Sequence, residues 1–243
     1  MARFTVILLF LAFAGPAAAD EIARSTIAFE GRERTYYLDV PARAQNSPAP
    51  LVVLLHGSGG NGLFMAQQWQ DLAGREGIVL LAPDSLHTDA GWDLHYDGPG
   101  YIHALIAAVA ASHPVDFKRL YVFGQSGGAV YTLTLAMLES EYFAAAAFHA
   151  GGWRRAAEYR VSDYATRKIP ISMWVGDRDE YFSMPSVRTT ERVLVEAGFP
   201  AELNVLDGRR HSYLDVPADF HDRVWKFLSS HALDGPAKYA EYR

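Results

Sequence analysis

Leu51-Val52-Val53-Leu54-Leu55 is apolar at every position, a pattern that predicts a strand covered on both faces, as in a parallel sheet. Ile78 to Ala82 repeats it and stops at Pro83-Asp84; Arg119–Phe123, Phe143–His149, Pro170–Val175 and Ala201–Leu206 follow as further strands. Helical spacing fills the intervals: Leu63–Gly74, an alanine-rich run from Tyr101 to about Ser112, Ala129–Glu139, Pro185–Ala197 with Gly198 as its stop, and Pro217–Ser229 as a closing helix. Two β-rich runs, Ser25–Glu30 and Arg34–Val40, flank Gly31 and predict a leading hairpin. Ser85–Gly100 reads as an aromatic and histidine-rich loop, and residues 154–169 as polar and weakly helical. Two leading strands followed by six strand–helix alternations predict an α/β protein: a mainly parallel eight-stranded sheet with helices on both faces. Only about 20 residues separate the sixth and seventh strands, which leaves no room for a large cap. The ligand site is expected beyond the carboxyl ends of the strands.

Composition changes this picture mainly at the ends. Half of the 243 residues are hydrophobic and 21% are charged, an ordinary globular balance that suits one domain. The start differs. Arg3 precedes the apolar run Phe4–Ala14, Gly15-Pro16 breaks it, and Ala17-Ala18-Ala19 offers an A-x-A cleavage site before Asp20. A membrane anchor needs about 20 apolar residues, more than this run has. The expectation is therefore a cleaved signal over residues 1–19, a domain over 20–230, and a polar, loosely held tail over 231–243 containing Gly235-Pro236, in a periplasmic or secreted protein. Cleavage removes Arg3 and no acid, so the formal charge moves from -6 by one unit to -7, which disfavours nucleic acid as a partner; no membrane association is expected either. Without cysteine there is no disulfide, thiol nucleophile or thiolate metal site.

The chemistry centres on Leu120-Tyr121-Val122-Phe123-Gly124-Gln125-Ser126-Gly127-Gly128-Ala129, an apolar run that breaks into glycines around a serine and resumes as a helix. Gly124-Gln125-Ser126-Gly127-Gly128 fits G-x-S-x-G, a strand-to-helix elbow that leaves the serine oxygen exposed. A serine hydroxyl is a poor nucleophile near neutral pH, so an imidazole must take its proton and a carboxylate must hold that imidazole. Among the nine histidines His211 is preferred, because Gly208-Arg209-Arg210-His211 follows the final strand. Asp177 and Asp179 both follow the seventh strand; Asp179 lies further into the loop and is the preferred acid, with Asp207 and Asp215 as outsiders. Serine, then aspartate, then histidine is the chain order of the α/β-hydrolase fold.

The loop His56-Gly57-Ser58-Gly59-Gly60 is expected to place the backbone N–H of Ser58 beside that of Gly127 as an oxyanion hole. Gly57-Ser58-Gly59-Gly60-Asn61-Gly62 also spells the dinucleotide fingerprint G-x-G-x-x-G, with Asp84 about 20 residues on. The hydrolytic reading is preferred because it also accounts for Ser126, Asp179 and His211, and an exported protein would seldom meet a nicotinamide cofactor. No G-K-[ST] follows these glycines and no H-E-x-x-H occurs, so neither metal nor cofactor is expected.

With these motifs in hand, the chain resembles the secreted α/β-hydrolases grouped as polyhydroxybutyrate depolymerase-like and feruloyl esterase-like carbohydrate esterases, from about Arg34 to Leu228. The resemblance is carried by Leu55-His56-Gly57, Ala82-Pro83-Asp84 with Trp92, Tyr121–Gly128, Gly176-Asp177-Arg178-Asp179 and Gly208–Ser212. In that family the acid stands third after a glycine, which implies Asp179. Relatives often have Asn-Gly-Gly after the nucleophile where this chain has Gly127-Gly128-Ala129, and Asp93–Gly100 departs from the pattern where substrate is sensed. The resemblance implies a serine ester hydrolase working through an acyl-enzyme on feruloyl or acetyl polysaccharide or hydroxyalkanoate-type esters, small or polymeric. A peptidase or a non-catalytic binding protein of the same fold would carry the same parts. Trp92, His95, Tyr96 and Tyr101, with Trp153 and Tyr181, are expected as an aromatic wall for substrate.

Overall fold

Odd and even positions of the strand Leu51–Leu55 face different cores. Leu51, Val53 and Leu55 pack into one cluster and Val52 and Leu54 into another, all fully buried. Period-two geometry sends successive side chains to opposite faces, so a strand covered on both sides must be apolar throughout. The computed structural model describes residues 21–154 and 156–240; the expected signal over residues 1–19 lies outside the described residues.

The strands are β1 (Ala23–Phe29), β2 (Arg32–Asp39), β3 (Ala49–Leu55), β4 (Val79–Pro83), β5 (Val115–Gln125), β6 (Ala145–His149), β7 (Ile171–Gly176) and β8 (Ala201–Leu206). They form one eight-stranded sheet in the order β1-β2-β4-β3-β5-β6-β7-β8, parallel from β4 to β8, with β1 and β2 antiparallel. The hairpin turns on Glu30 (φ 48°) and Gly31 (φ 73°), two consecutive left-handed residues that match the twist of the flanking strands. Helices α1 (Gly62–Glu76) and α7 (Phe220–Ser229) cover one face; α3 (Pro99–Ala110), α4 (Gly127–Leu138) and α6 (Met184–Glu196) cover the other. Short α2 (Leu94–Asp97) and α5 (Ala156–Tyr159) lie in the connections. The layers match the α/β-hydrolase expectation.

This order puts the switch point of the sheet between β3 and β5, since the chain leaves β3 toward β4 on one side and returns to β5 on the other. The loops after these two strands, His56–Gly60 and the turn at Ser126, therefore stand side by side.

Two local expectations are corrected. The stretch Ser85–Gly100 is not a simple loop: α2 forms within it, and α3 starts at Pro99, in the first helical turn where proline is favourable. Asp97, 1% exposed, organises it by pairing with Arg34 of β2 and accepting the backbone N–H of Leu86 (2.9 Å) and Asp93 (3.0 Å). The tail is likewise tied down over its described residues. Leu233 donates its N–H to Lys118 O (2.9 Å), Lys238 to Glu141 O (3.0 Å) and Ala240 to the Glu139 carboxylate (2.9 Å), while Tyr239 stacks on His103 at 4.0 Å. A polar composition hid these contacts, because most of them use the backbone.

Candidate active site

Ser126 sits between the end of β5 and the start of α4 with φ 54° and ψ −114°, a left-handed backbone that is costly for a residue with a side chain. The packing around it holds that conformation. A Cβ at Gly124 would lie 2.2 Å from Gly128 O, and one at Gly128 would lie 2.2 Å from Leu55 O. Strand, turn and helix approach so closely that only glycine fits either flank. The Ser126 N–H bonds His149 O on the adjoining strand (3.0 Å).

The Ser126 hydroxyl lies 2.8 Å from His211 Nε2, and His211 Nδ1 lies 2.9 Å from Asp179 Oδ2. Asp179 accepts the backbone N–H of Tyr181 and of Phe182 on its other oxygen, both at 2.8 Å. Its carboxylate is shielded from solvent, and burial alone would raise its pKa. The hydrogen bond from His211 and the two backbone N–H groups outweigh burial and hold the pKa below the usual carboxylate value. An ionised acceptor at Nδ1 keeps the proton on that nitrogen and leaves Nε2 to accept from the serine. Asp177 stands exposed, and its N–H bonds Leu206 O (3.2 Å). Asp207 is exposed too. Asp215 braces the histidine loop by accepting Arg210 N (3.0 Å) and Arg209 Nη1 (3.2 Å). A Cβ at Gly176 would lie 2.1 Å from Arg209 O, so the acid and histidine loops are pressed together.

Ser58, after β3, and Gly127, after β5, lie side by side. A Cβ at Gly127 would come within 3.2 Å of Ser58 N and 2.6 Å of its Oγ. Gly127 opens α4, so its N–H has no intrahelical partner. The Ser58 loop is anchored from beneath by His56, fully buried. The His56 Nδ1 donates to Gly57 O (2.8 Å) and its Nε2 accepts Ser85 N–H (3.1 Å), an arrangement that requires the neutral ring; burial lowers its pKa accordingly. Asp84, the acid of the dinucleotide alternative, is engaged in accepting Gly62 N–H at the start of α1 (2.7 Å). A Cβ at Gly62 would collide with Ala82 O at 2.1 Å, so this glycine serves helix–strand packing.

Over these groups lies a cleft of about 580 Å³ whose walls include Trp92, Val130, Arg154, Tyr181 and Phe182. Trp92 donates Nε1–H to His56 O (2.8 Å) and stacks on Tyr131. The Tyr181 ring lies 4.7 Å from the His211 ring. The rest of the expected aromatic wall is elsewhere. His95 borders a separate recess with Phe29 and Tyr239, and Tyr96 packs against His87 under Arg32. Tyr101 is fully buried beneath the Arg34 guanidinium, and Trp153 is buried beside a neighbouring cavity.

Three nearby residues escaped the sequence reading. Phe182 stacks on His211 at 5.8 Å and carries the Arg154 guanidinium 4.3 Å above its ring. A signal for Phe182 existed: it stands three residues after Asp179, the position from which a turn N–H reaches back to an aspartate. His149 lies fully buried near His211 and Asp179 with neither ring nitrogen bonded among the described residues. Burial first, then the neighbouring His211, pushes its pKa down to about 4.

Residues 37–224 match the family model of the dienelactone hydrolases. The chain belongs to the dienelactone hydrolase family. It is 26% identical over 125 residues to acetylxylan esterase A of Aspergillus ficuum, covering 47% of this chain and 41% of that protein. It is 28% identical over 131 residues to feruloyl esterase B of Thermothelomyces thermophilus, covering 47% and 43%. The matched segment thus spans less than half of each of these relatives. Among solved structures, a thermostable esterase superposes with a TM-score of 0.71 at 20% identity, over 87% of this chain and 63% of that one. An S-formylglutathione hydrolase from Agrobacterium tumefaciens superposes at 0.66 and 17% identity, over 88% and 97%. These structural likenesses establish the fold of this dienelactone hydrolase family member.

Proposed function

We propose that the chain is a serine carboxylic-ester hydrolase acting through an acyl-enzyme. The observation that carries this reading is the continuous hydrogen-bonded line from Asp179 through His211 to Ser126, at 2.9 and 2.8 Å, ending on a hydroxyl at the floor of an open cleft. Ser126 Oγ attacks the ester carbonyl as His211 Nε2 takes its proton. The charge that develops on the carbonyl oxygen is met by the N–H groups of Ser58 and Gly127, donors of a kind whose loss typically costs about 100- to 1000-fold in rate. His211 returns the proton to the leaving alcohol oxygen as the ester bond breaks. Water then repeats the sequence on the acyl-enzyme and frees the acid and Ser126. Asp179 holds the imidazole by Nδ1 and stabilises its charged form without taking the proton.

The relatives' names support esters of polysaccharides, acetyl or feruloyl, as substrates, and hydroxyalkanoate-type esters belong to the same reading; the amino-terminal pattern supports a periplasmic or secreted site of action. Among the described residues, no helix is long and apolar enough to cross a membrane. Replacing Ser126→Ala is expected to abolish both hydrolysis of a p-nitrophenyl acyl ester and labelling by a fluorophosphonate, with an unchanged circular dichroism spectrum. Labelling that survives the substitution moves the nucleophile elsewhere and ends this assignment.

A further inference from the structure

A second cavity, of about 590 Å³, adjoins the cleft and shares Val130 and Glu158 with it. Its lining is mainly apolar, with Trp153 (1% exposed), Val130 and Val161, the exposed Leu94 and Tyr164, and Thr134 and Glu158 as polar members, Glu158 at the junction with the cleft. Its mouth is polar, since Arg160 and Asp163 stand exposed at the rim. It runs along α4 past Thr134, two turns beyond the nucleophile, toward the 3-10 turn Arg160–Tyr164.

We infer that this cavity receives the acyl half of the ester, and that the enzyme is built for an extended acyl group with an apolar body and a polar far end. The inference rests on the serine hydrolase reading above. In the tetrahedral intermediate the carbonyl carbon bears four substituents, and three have fixed destinations. Ser126 Oγ holds one, the N–H groups of Ser58 and Gly127 take the oxyanion, and the leaving oxygen must face His211 Nε2, from which it collects a proton. The acyl chain takes the remaining direction. His211, Tyr181 and Phe182 line the cleft on the side of β7 and β8, and none of them lines the second cavity among the described residues. The second cavity therefore lies away from the leaving alcohol and open to the acyl chain. An acetyl group would leave it filled with solvent, since it has room for about 20 water molecules at roughly 30 Å³ each. A longer apolar acyl group would release that solvent from Trp153, Val130 and Val161, with its polar end at Arg160 and Asp163.

The test varies acyl group and alcohol separately. With p-nitrophenol as the common leaving group, the wild-type chain is expected to show a lower KM for the ferulate than for the acetate. Thr134→Phe on α4 and Val161→Phe on the opposite wall each fill the cavity, and each is expected to lower the ferulate-to-acetate ratio of kcat/KM by about tenfold or more. The ratio for 2-naphthyl acetate over p-nitrophenyl acetate, in which only the alcohol changes, is expected to move less than about twofold on the same scale. A wild-type KM for the ferulate equal to or above that for the acetate overturns the inference. So does an unchanged acyl ratio in both variants, or an alcohol ratio that moves in its place. Such a result alongside Ser126-dependent hydrolysis of the acetate leaves the catalytic assignment standing. A wild-type chain that hydrolyses none of these esters removes the catalytic assignment and this subsite together.

Discussion

Two segments at the same rim of the sheet are held in opposite ways. The acid loop after β7 is fixed locally: Asp179 takes the N–H groups of Tyr181 and Phe182, two and three residues on, and only then reaches across to His211. The segment after β4 is fixed from afar. Asp97 there pairs with Arg34, 63 residues earlier on β2, and both side chains are buried. Tyr131, from α4, donates its hydroxyl to the Asp97 carbonyl and stacks on Trp92, so the Trp92 side of the cleft inherits its position from that ion pair. A carboxylate held by its own turn, as Asp179 is, can lose its charge without loosening the fold. A buried pair spanning two elements cannot lose one partner so cheaply, because the other is left charged and desolvated.

The sharpest test of this contrast is on catalysis. Asp179→Asn keeps an acceptor for the turn but removes the charge that holds the His211 tautomer, and kcat is expected to drop by about 10⁴-fold in steady-state ester hydrolysis. Its urea midpoint should move far less than that of the next variant. Asp97→Ala strands the Arg34 guanidinium and two backbone N–H groups, and is expected to cost about 3–5 kcal/mol of unfolding free energy in urea. Replacing both partners, Arg34→Met with Asp97→Leu, should recover part of that loss. Equal midpoints for Asp179→Asn and Asp97→Ala would erase the distinction between the two segments.

Acid stability separates the regions more finely. Burial pushes His149, at the end of β6, and His221, in the first turn of α7, down to about 4 each. Both are neutral in the folded chain at pH values where an unfolded histidine, with a pKa of about 6.5, has taken a proton. Between those values the unfolded state binds more protons, so stability rises with pH and is lost as pH falls from about 6.5 toward 4. His149→Phe is expected to remove one such proton, worth on the order of 1–3 kcal/mol across that interval, and to flatten the curve of urea midpoint against pH. An unchanged slope would mean that His149 is solvated in the folded chain. The smallest effect is expected at the mouth of the cleft, where Tyr181 is 66% exposed: Tyr181→Ala should lower kcat/KM for an aryl ester by less than about tenfold, chiefly through KM.

The strands and the elbow were legible in the sequence, because each rests on short-range rules; that His211 lies beside Ser126 and Ser58 beside Gly127 is a geometry that chain order suggested and only the folded chain displays. Strand burial writes itself as unbroken apolar runs, and the elbow as glycines where no Cβ fits. The aromatic wall was not legible in the same way. Trp92 and Tyr181 reach the cleft, while His95 and Tyr96, close by on α2, do not, because that helix turns with Asp97 and Asp97 answers to Arg34. Arg154 and Phe182 join the site through a cation–ring contact whose partners come from different connections.

The amino-acid sequence by itself determined the layers of this protein, the order of its strands along the chain, and which serine, aspartate and histidine stand at strand ends, since hydrophobic periodicity and glycine sterics act over a few residues. Tertiary structure alone decided where β1 to β8 lie in the sheet, which residues of the segment after β4 meet the cleft, and that a second cavity opens beside α4. Those features depend on how distant side chains fill space around one another, and no local pattern encodes a volume enclosed by residues that are remote along the chain.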